Sequence, residues 1–259
     1  MSGGKDGTEL DLLRYFRDSL IGRNAKGIVH NMNSPLQVLS MQIELLGMDL
    51  NLLASQPCEN SEVSSGIQQA IERLDQLETI VAKINHLVKL VGSRVADDEQ
   101  DDDEGPIMVA RLLEETIEFW KSDLFFKHKV ILDLEIPSAS PVVVSKERYL
   151  KDALDSVLFS CIQTLKKEND PKLHIAIEAE PDSSDIVMKF EPEGRGFPLE
   201  RVEHLSSFIE RNGTIKEIEE LSFAPVDLAL AVAKMSIKKI SGDFKLNDQS
   251  IIIKLKANM

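Results

Sequence analysis

Two long stretches of the chain carry apolar residues at alternating spacings of four and three, the seam of a helix packed in a bundle. The first seam runs through Ala25, Val29, Met32, Leu36, Leu39, Ile43, Leu46, Leu50 and Leu53. It predicts a helix from about Thr8, with Thr8 and Asp11 as cap and first-turn acid, to about Ala54, stopped by Pro57. A second helix is expected to start near Asn60 or Ser61 and carries Val63, Ile67, Ala70, Leu74, Leu77, Val81, Ile84 and Val88 at the same spacing. A two-helix hairpin cannot bury such stripes well alone, so the pattern predicts a four-helix bundle made by two chains, and hence a homodimer.

Beyond residue 105 the period changes. A helix is expected over 110–126, an alternating strand over 129–136, a short strand over 142–145 and a helix over 148–166. Strands at 173–180 and 185–190 lead to Gly194-Arg195-Gly196-Phe197-Pro198. Helices at 199–210 and 226–240 follow, and strands at 243–246 and 250–255 turn at Asn247-Asp248. Elements segregated in this way predict a two-layer α/β sandwich. The expected domains are a helical hairpin over 1–96, a linker over 97–105 and the sandwich over 106–259.

Charge locates the linker. Residues Asp97 to Glu104 hold seven acids and Gln100, too self-repelling to fold, and Gly105-Pro106 follows. The net charge of −14 over 259 residues argues against a nucleic-acid partner. No run reaches the roughly 20 apolar residues of a membrane helix, and the first residues lack the apolar core of a signal peptide, so a cytoplasmic location without membrane contact is expected. Cys58 and Cys161 form neither a disulfide framework nor a metal site, and no metal is expected.

Within the first seam lies His30-Asn31-Met32-Asn33-Ser34-Pro35-Leu36. With Val29 at heptad position a, His30 takes position b, beside the seam and facing solvent, with Ser34, Gln37 and Met41 continuing the strip. Pro35 is costly inside a helix, which marks the segment as something other than a plain stabilising repeat. His86, His128, His174 and His204 have no such setting. The seven residues resemble the H-box of the dimerisation and phosphotransfer domain of two-component histidine kinases. That resemblance implies His30 as phosphoacceptor. It also sets Asn31 where the family has an activating acid, and Ser34 where it has a residue that positions water.

The order of elements that follows is similar to the catalytic domain of the same family. The fold implied is α plus α/β: an antiparallel hairpin forming a dimeric four-helix bundle, then a two-layer sandwich of the histidine kinase ATPase (GHKL) type. The family's nucleotide landmarks can be placed but are altered. Ser156 and Ser160 stand where two asparagines belong, the second of which holds magnesium. Pro192, ahead of Gly194 and Gly196, stands where an acid reads adenine. At 225–232 the second glycine box keeps its apolar residues and lacks its glycines, and Asp227 would set negative charge near the phosphates.

A phosphohistidine needs no ATP when a phosphorylated aspartate donates the group, and a receiver domain brings its own magnesium. The sequence therefore predicts a histidine phosphotransferase of a bacterial phosphorelay that uses no cofactor of its own. Its expected partners are response-regulator receiver domains docking at Asn33, Gln37, Val38 and Met41, a second copy of the chain, and an upstream sensor kinase. Two alternatives stay open: a divergent kinase that phosphorylates His30 from ATP, and a non-catalytic scaffold that binds receivers or kinases.

Overall fold

The computed structural model describes residues 3–55, 60–95, 103–137, 141–180, 185–194, 196–211 and 223–256; for 3–11, 53–55, 60–64 and 95 it describes the backbone alone. Two compact units result. Ala25–Val95 forms one, and Met1–Asn24 together with Ala96–Met259 forms the other.

The helical unit is the hairpin expected from the two seams. Helix α1 spans Gly3–Ser55 and continues through Pro35, and α2 spans Asn60–Val95. Because α1 begins ahead of Thr8, that residue lies inside the helix rather than at its cap. Pro57 and Cys58 lie outside the described residues. Within the hairpin Met32, Pro35, Leu39, Gln42, Leu46 and Asp49 are half-buried, and Ala70, Arg73, Leu77, Ile80, Ile84 and Leu87 are half-buried or buried. Arg73 joins the two helices, donating to Asp49 and, at 3.5 Å, to Gln42.

The other unit is built on a mixed sheet of order β2-β4-β5-β7-β6. Its strands are β2 (Ile131–Glu135), β4 (Lys172–Ala179), β5 (Ile186–Pro192), β6 (Asp243–Leu246) and β7 (Ile251–Leu255). β2 pairs with β4 in parallel and the other neighbours are antiparallel. The strands alternate, as they do in a sheet with one wet face: Ile186, Met188, Phe190, Ile251, Ile253 and Leu255 are buried while Val187, Lys189, Ile252 and Lys254 between them are half-exposed. Helices α3 (Val109–Trp120), α4 (Leu124–Lys129), α5 (Glu147–Leu165), α6 (Leu199–Glu210) and α7 (Pro225–Lys239) complete the second layer.

The structure corrects the expected elements in three places. The helix predicted over 110–126 is two helices, because the Asp123 side chain accepts from the backbone N–H of Phe125 (2.9 Å) and Phe126 (3.0 Å) and starts a new one. The second helix runs on to Lys129, where Lys127, His128 and Lys129 complement its C-terminal dipole, so β2 begins two residues later than expected. Gly105, read as the last residue of the linker, opens a strand with Pro106: β1 (Gly105–Met108) pairs with β3 (Val142–Ser145), with Pro106 opposite Val144. Residues 97–102 of the acidic run lie outside the described residues.

The start of α1 belongs to the sheet unit. Leu12, Leu13, Phe16 and Leu20 are buried, and Phe16 meets Phe159 of α5 edge to face at 6.0 Å. Arg17 donates to both oxygens of Asp152, at 2.9 and 2.8 Å. Burial pushes the Asp152 carboxyl up against the pull of Arg17; burial also pulls Arg17 down, but its bonds to Asp152 more than offset this and hold it above its ordinary value. Removing one member of so buried a pair strands the other, so Arg17→Ala is expected to cost about 3 kcal/mol of stability. Urea denaturation of the variant beside the wild type measures this, and a loss below about 1 kcal/mol would mean that α1 is not anchored through this pair.

Candidate functional site

His30 is exposed on α1, as are Asn33, Ser34, Gln37, Val38 and Met41. At about 100° per residue these six side chains fall within an arc of about 140° on one side of the helix. Asn31 is half-buried, and Pro35 and Met32 turn toward α2. Pro35 has no N–H to donate to the carbonyl of Asn31, so the helix continues through it without that backbone bond. The structure therefore brings together all the residues expected to form the phosphoacceptor strip, and Asn31 lies at its edge.

A second exposed strip is apolar. Val29, Leu36, Ile43 and Leu50 on α1, and Ile67, Leu74, Val81 and Val88 on α2, recur every seven residues and are each between 41 and 55 % exposed. On both helices this strip lies about 90° around the axis from the face that meets the hairpin partner. The single seam of the sequence thus divides. Its a positions remain open, and its d positions, Met32, Leu39 and Leu46, help to close the hairpin.

The positions that correspond to nucleotide landmarks are occupied by the fold itself. Ser156 and Ser160 are fully buried, and each hydroxyl donates to the carbonyl four residues back, Asp152 at 2.6 Å and Ser156 at 2.8 Å. A hydroxyl so committed and so enclosed is not placed to ligate magnesium. Asp155 between them accepts from the Trp120 indole at 2.9 Å. Pro192 is buried at the end of β5, opposite Leu173.

The glycines that survive serve packing. A Cβ on Gly196 would run into the Asp248 side chain and come within 2.9 Å of the Asp248 carbonyl, because the Phe197 N–H donates to that carbonyl and draws the loop onto the β6–β7 turn. A Cβ on Gly194 would touch the Glu168 side chain at 3.0 Å. Arg195 lies outside the described residues. At the start of α7, where phosphates would be cradled, the buried Asp227 carboxylate accepts from the Ala224 N–H at 2.8 Å and from Arg201 at 2.7 Å. An internal anion holds that helix N-terminus. These residues do not fit a magnesium nucleotide.

Sequence reasoning found the placement of Asp227 but missed Arg201, which comes from α6 and carries no motif of its own. It also missed Arg17, Trp120 and Asp248, whose roles appear only once α1, α3 and the last turn are brought to α5 and the loop. Among the described residues no group of three or more His, Cys, Asp or Glu side chains could hold a metal ion, and no helix is long and apolar enough to cross a membrane. His174 lies opposite Asp133 across β4 and β2 at 3.0 Å, and the His204 ring packs at 5.9 Å from Phe223.

No family model matches the chain, and no curated protein does. Solved structures similar to it are histidine kinases. A nucleotide-free catalytic domain of histidine kinase ThkA aligns at 14% identity over 60% of this chain and 97% of that one, with a TM-score of 0.45. The Acinetobacter baumannii histidine kinase AdeS aligns at 14% identity over 89% and 98%, with a TM-score of 0.41. A mycobacterial sensor histidine kinase, MprB, aligns at 14% identity over 60% and 99%, with a TM-score of 0.46.

Since Gly196 is held by contact with Asp248 backbone as well as side chain, Gly196→Ala is expected to destabilise the sheet unit by about 1–3 kcal/mol. A thermal melt of the variant checks this. An unchanged midpoint would show that the loop has room to move and that its glycine is free for another purpose.

Proposed function

We propose that this chain is a histidine phosphotransferase in two-component signalling, accepting a phosphoryl group on His30 from the aspartate of a receiver domain and returning it to another. The observation that carries the reading is the contrast between the two units. His30 stands exposed at the head of a polar strip, while the side chains at the nucleotide landmarks are committed to the fold.

The chemistry asks little of the chain. In the forward step an imidazole nitrogen attacks the phosphorus of the acyl phosphate in line, a P–N bond forms, and the P–O bond to the aspartate breaks with the carboxylate leaving. The receiver supplies magnesium and the electrostatic stabilisation of the transferring group. The strip of Asn33, Ser34, Gln37, Val38 and Met41 supplies a docking face, polar near the imidazole and apolar at Val38 and Met41. Asn31 is no base, which suits an acceptor attacking a good leaving group. The setting is cytoplasmic, where receivers and their kinases meet.

The working form in this reading is a dimer. The open heptad strips of α1 and α2 lie a quarter turn from the hairpin contact, the angle at which each helix of a four-helix bundle meets its second neighbour. Pairing two hairpins along these strips closes the core and leaves the His30 arc in solvent.

Two measurements test this reading. A receiver carrying radiolabelled phosphoaspartate, mixed with the purified chain without ATP, should pass label to the wild type as acid-labile phosphohistidine and pass none to His30→Ala. Label on His30→Ala, or label on the wild type from ATP alone, would overturn the proposal. In sedimentation equilibrium the wild type should run at twice the chain mass, and Ile43→Asp, which sets a charge in the open strip, at the chain mass. A wild-type monomer would refute the bundle.

A further inference from the structure

The sheet unit contains a cavity of about 230 Å³ between the first turns of α1, helix α5 and the start of α7. Its walls are apolar and largely aromatic: Phe16 and Leu20 from α1, Phe159 from α5, and Phe223 and Leu228 at the start of α7. The polar groups lining it are Tyr15, Ser19 and Arg23, all from α1, and among the described residues no carboxylate lines it. In a chain with 44 acidic and 30 basic residues, a cavity whose one charged lining group among the described residues is a cation is a selective arrangement.

Arg23 gives the cavity its chemistry. The guanidinium carbon stands 5.1 Å from the centroid of the Phe159 ring, and among the described residues Arg23 has no carboxylate partner. Stacking on an aromatic face fixes the plane of a guanidinium and leaves its edge donors available for a bidentate bond to a carboxylate. Such a ligand anchors its charge at Arg23 and sets its body against Phe223, Leu20 and Leu228. The volume falls below the roughly 300–1,000 Å³ of sites for drug-sized ligands, so the occupant is limited to one or two fused rings.

We infer that this cavity binds a small aromatic carboxylate. The inference stands apart from the phosphotransfer reading, since it needs neither His30 nor a partner protein.

The test uses 1-naphthoate as anionic probe and 1-naphthalenemethanol as its neutral counterpart, titrated calorimetrically into the full-length wild type, Arg23→Gln and Ser19→Phe. Both substituted positions are exposed, and circular dichroism confirms that each variant is folded. The wild type should bind 1-naphthoate at least about tenfold more tightly than the alcohol, the factor expected for a charge-assisted hydrogen-bonded pair. Arg23→Gln should lose that tenfold preference while still binding the alcohol, and Ser19→Phe, which fills the cavity, should bind neither. No binding of 1-naphthoate at millimolar concentration would overturn the inference, as would equal affinity for the two probes in the wild type. Unchanged binding by either variant would also overturn it, and so would displacement of 1-naphthoate by ATP.

Discussion

The arrangement of the sheet unit depends on the burial of α5 on every side. A helix that covers a sheet ordinarily keeps one polar face for solvent. Along α5, however, Lys151, Asp152, Asp155, Ser156 and Ser160 are all buried beside the apolar residues. Polar groups removed from water must be satisfied internally, and here each carboxylate and each serine hydroxyl has a named partner. Asp152 holds Arg17, Asp155 takes the Trp120 indole, and the serines bond to the backbone above them. The same contacts that keep α5 in place bring the start of α1 and the end of α3 onto it. A helix engaged in this way supports its neighbours.

On α1 the constraint is angular. A helix presents about 100° of turn per residue, so a seven-residue pattern can serve a hairpin contact, an open apolar strip and a display face only if each keeps to its own sector. Residues of the hairpin face, such as Leu39 and Gln42, lie opposite the His30 arc, and the a positions lie between. This separation lets one helix pack against its partner in the hairpin while keeping an apolar strip and the His30 side chain exposed. Pro35 fits the same plan. It costs a hydrogen bond inside a helix that nonetheless continues.

Much of this was legible in the sequence because it is periodic. The two seams gave the hairpin, and the change to alternation gave the sheet strands to within a few residues. The H-box residues announced the display strip through an unusual proline and through the heptad position of His30. Other features resisted because they are not local. Leu12, Leu13, Phe16 and Leu20 precede the seam that begins at Ala25 and follow another register, and only the structure shows what they cover, with Phe16 packed on Phe159 of α5. Asp123 in the middle of an apolar run read as a helical residue and acts as a cap. Gly105 and Pro106, next to the acidic run, gave no strand signal and sit in a strand that pairs with β3 alone among the described residues.

The altered nucleotide landmarks show the difference most clearly. From sequence, Ser160, Pro192 and Asp227 could be described only by what they lack: an amide, an acid, a glycine. In the structure they have positive roles that the missing residues could not fill. An asparagine at 160 would need room that a fully buried serine does not leave. A glycine at 227 could neither cap the Ala224 N–H nor pair with Arg201. Fold and function are separable for this reason: the order of strands and helices is maintained by apolar contacts that many side chains can make, whereas a phosphate site needs particular atoms left free. In this chain the side chains at those positions are engaged with the fold: Ser160 with the Ser156 carbonyl, and Asp227 with the Ala224 N–H and Arg201.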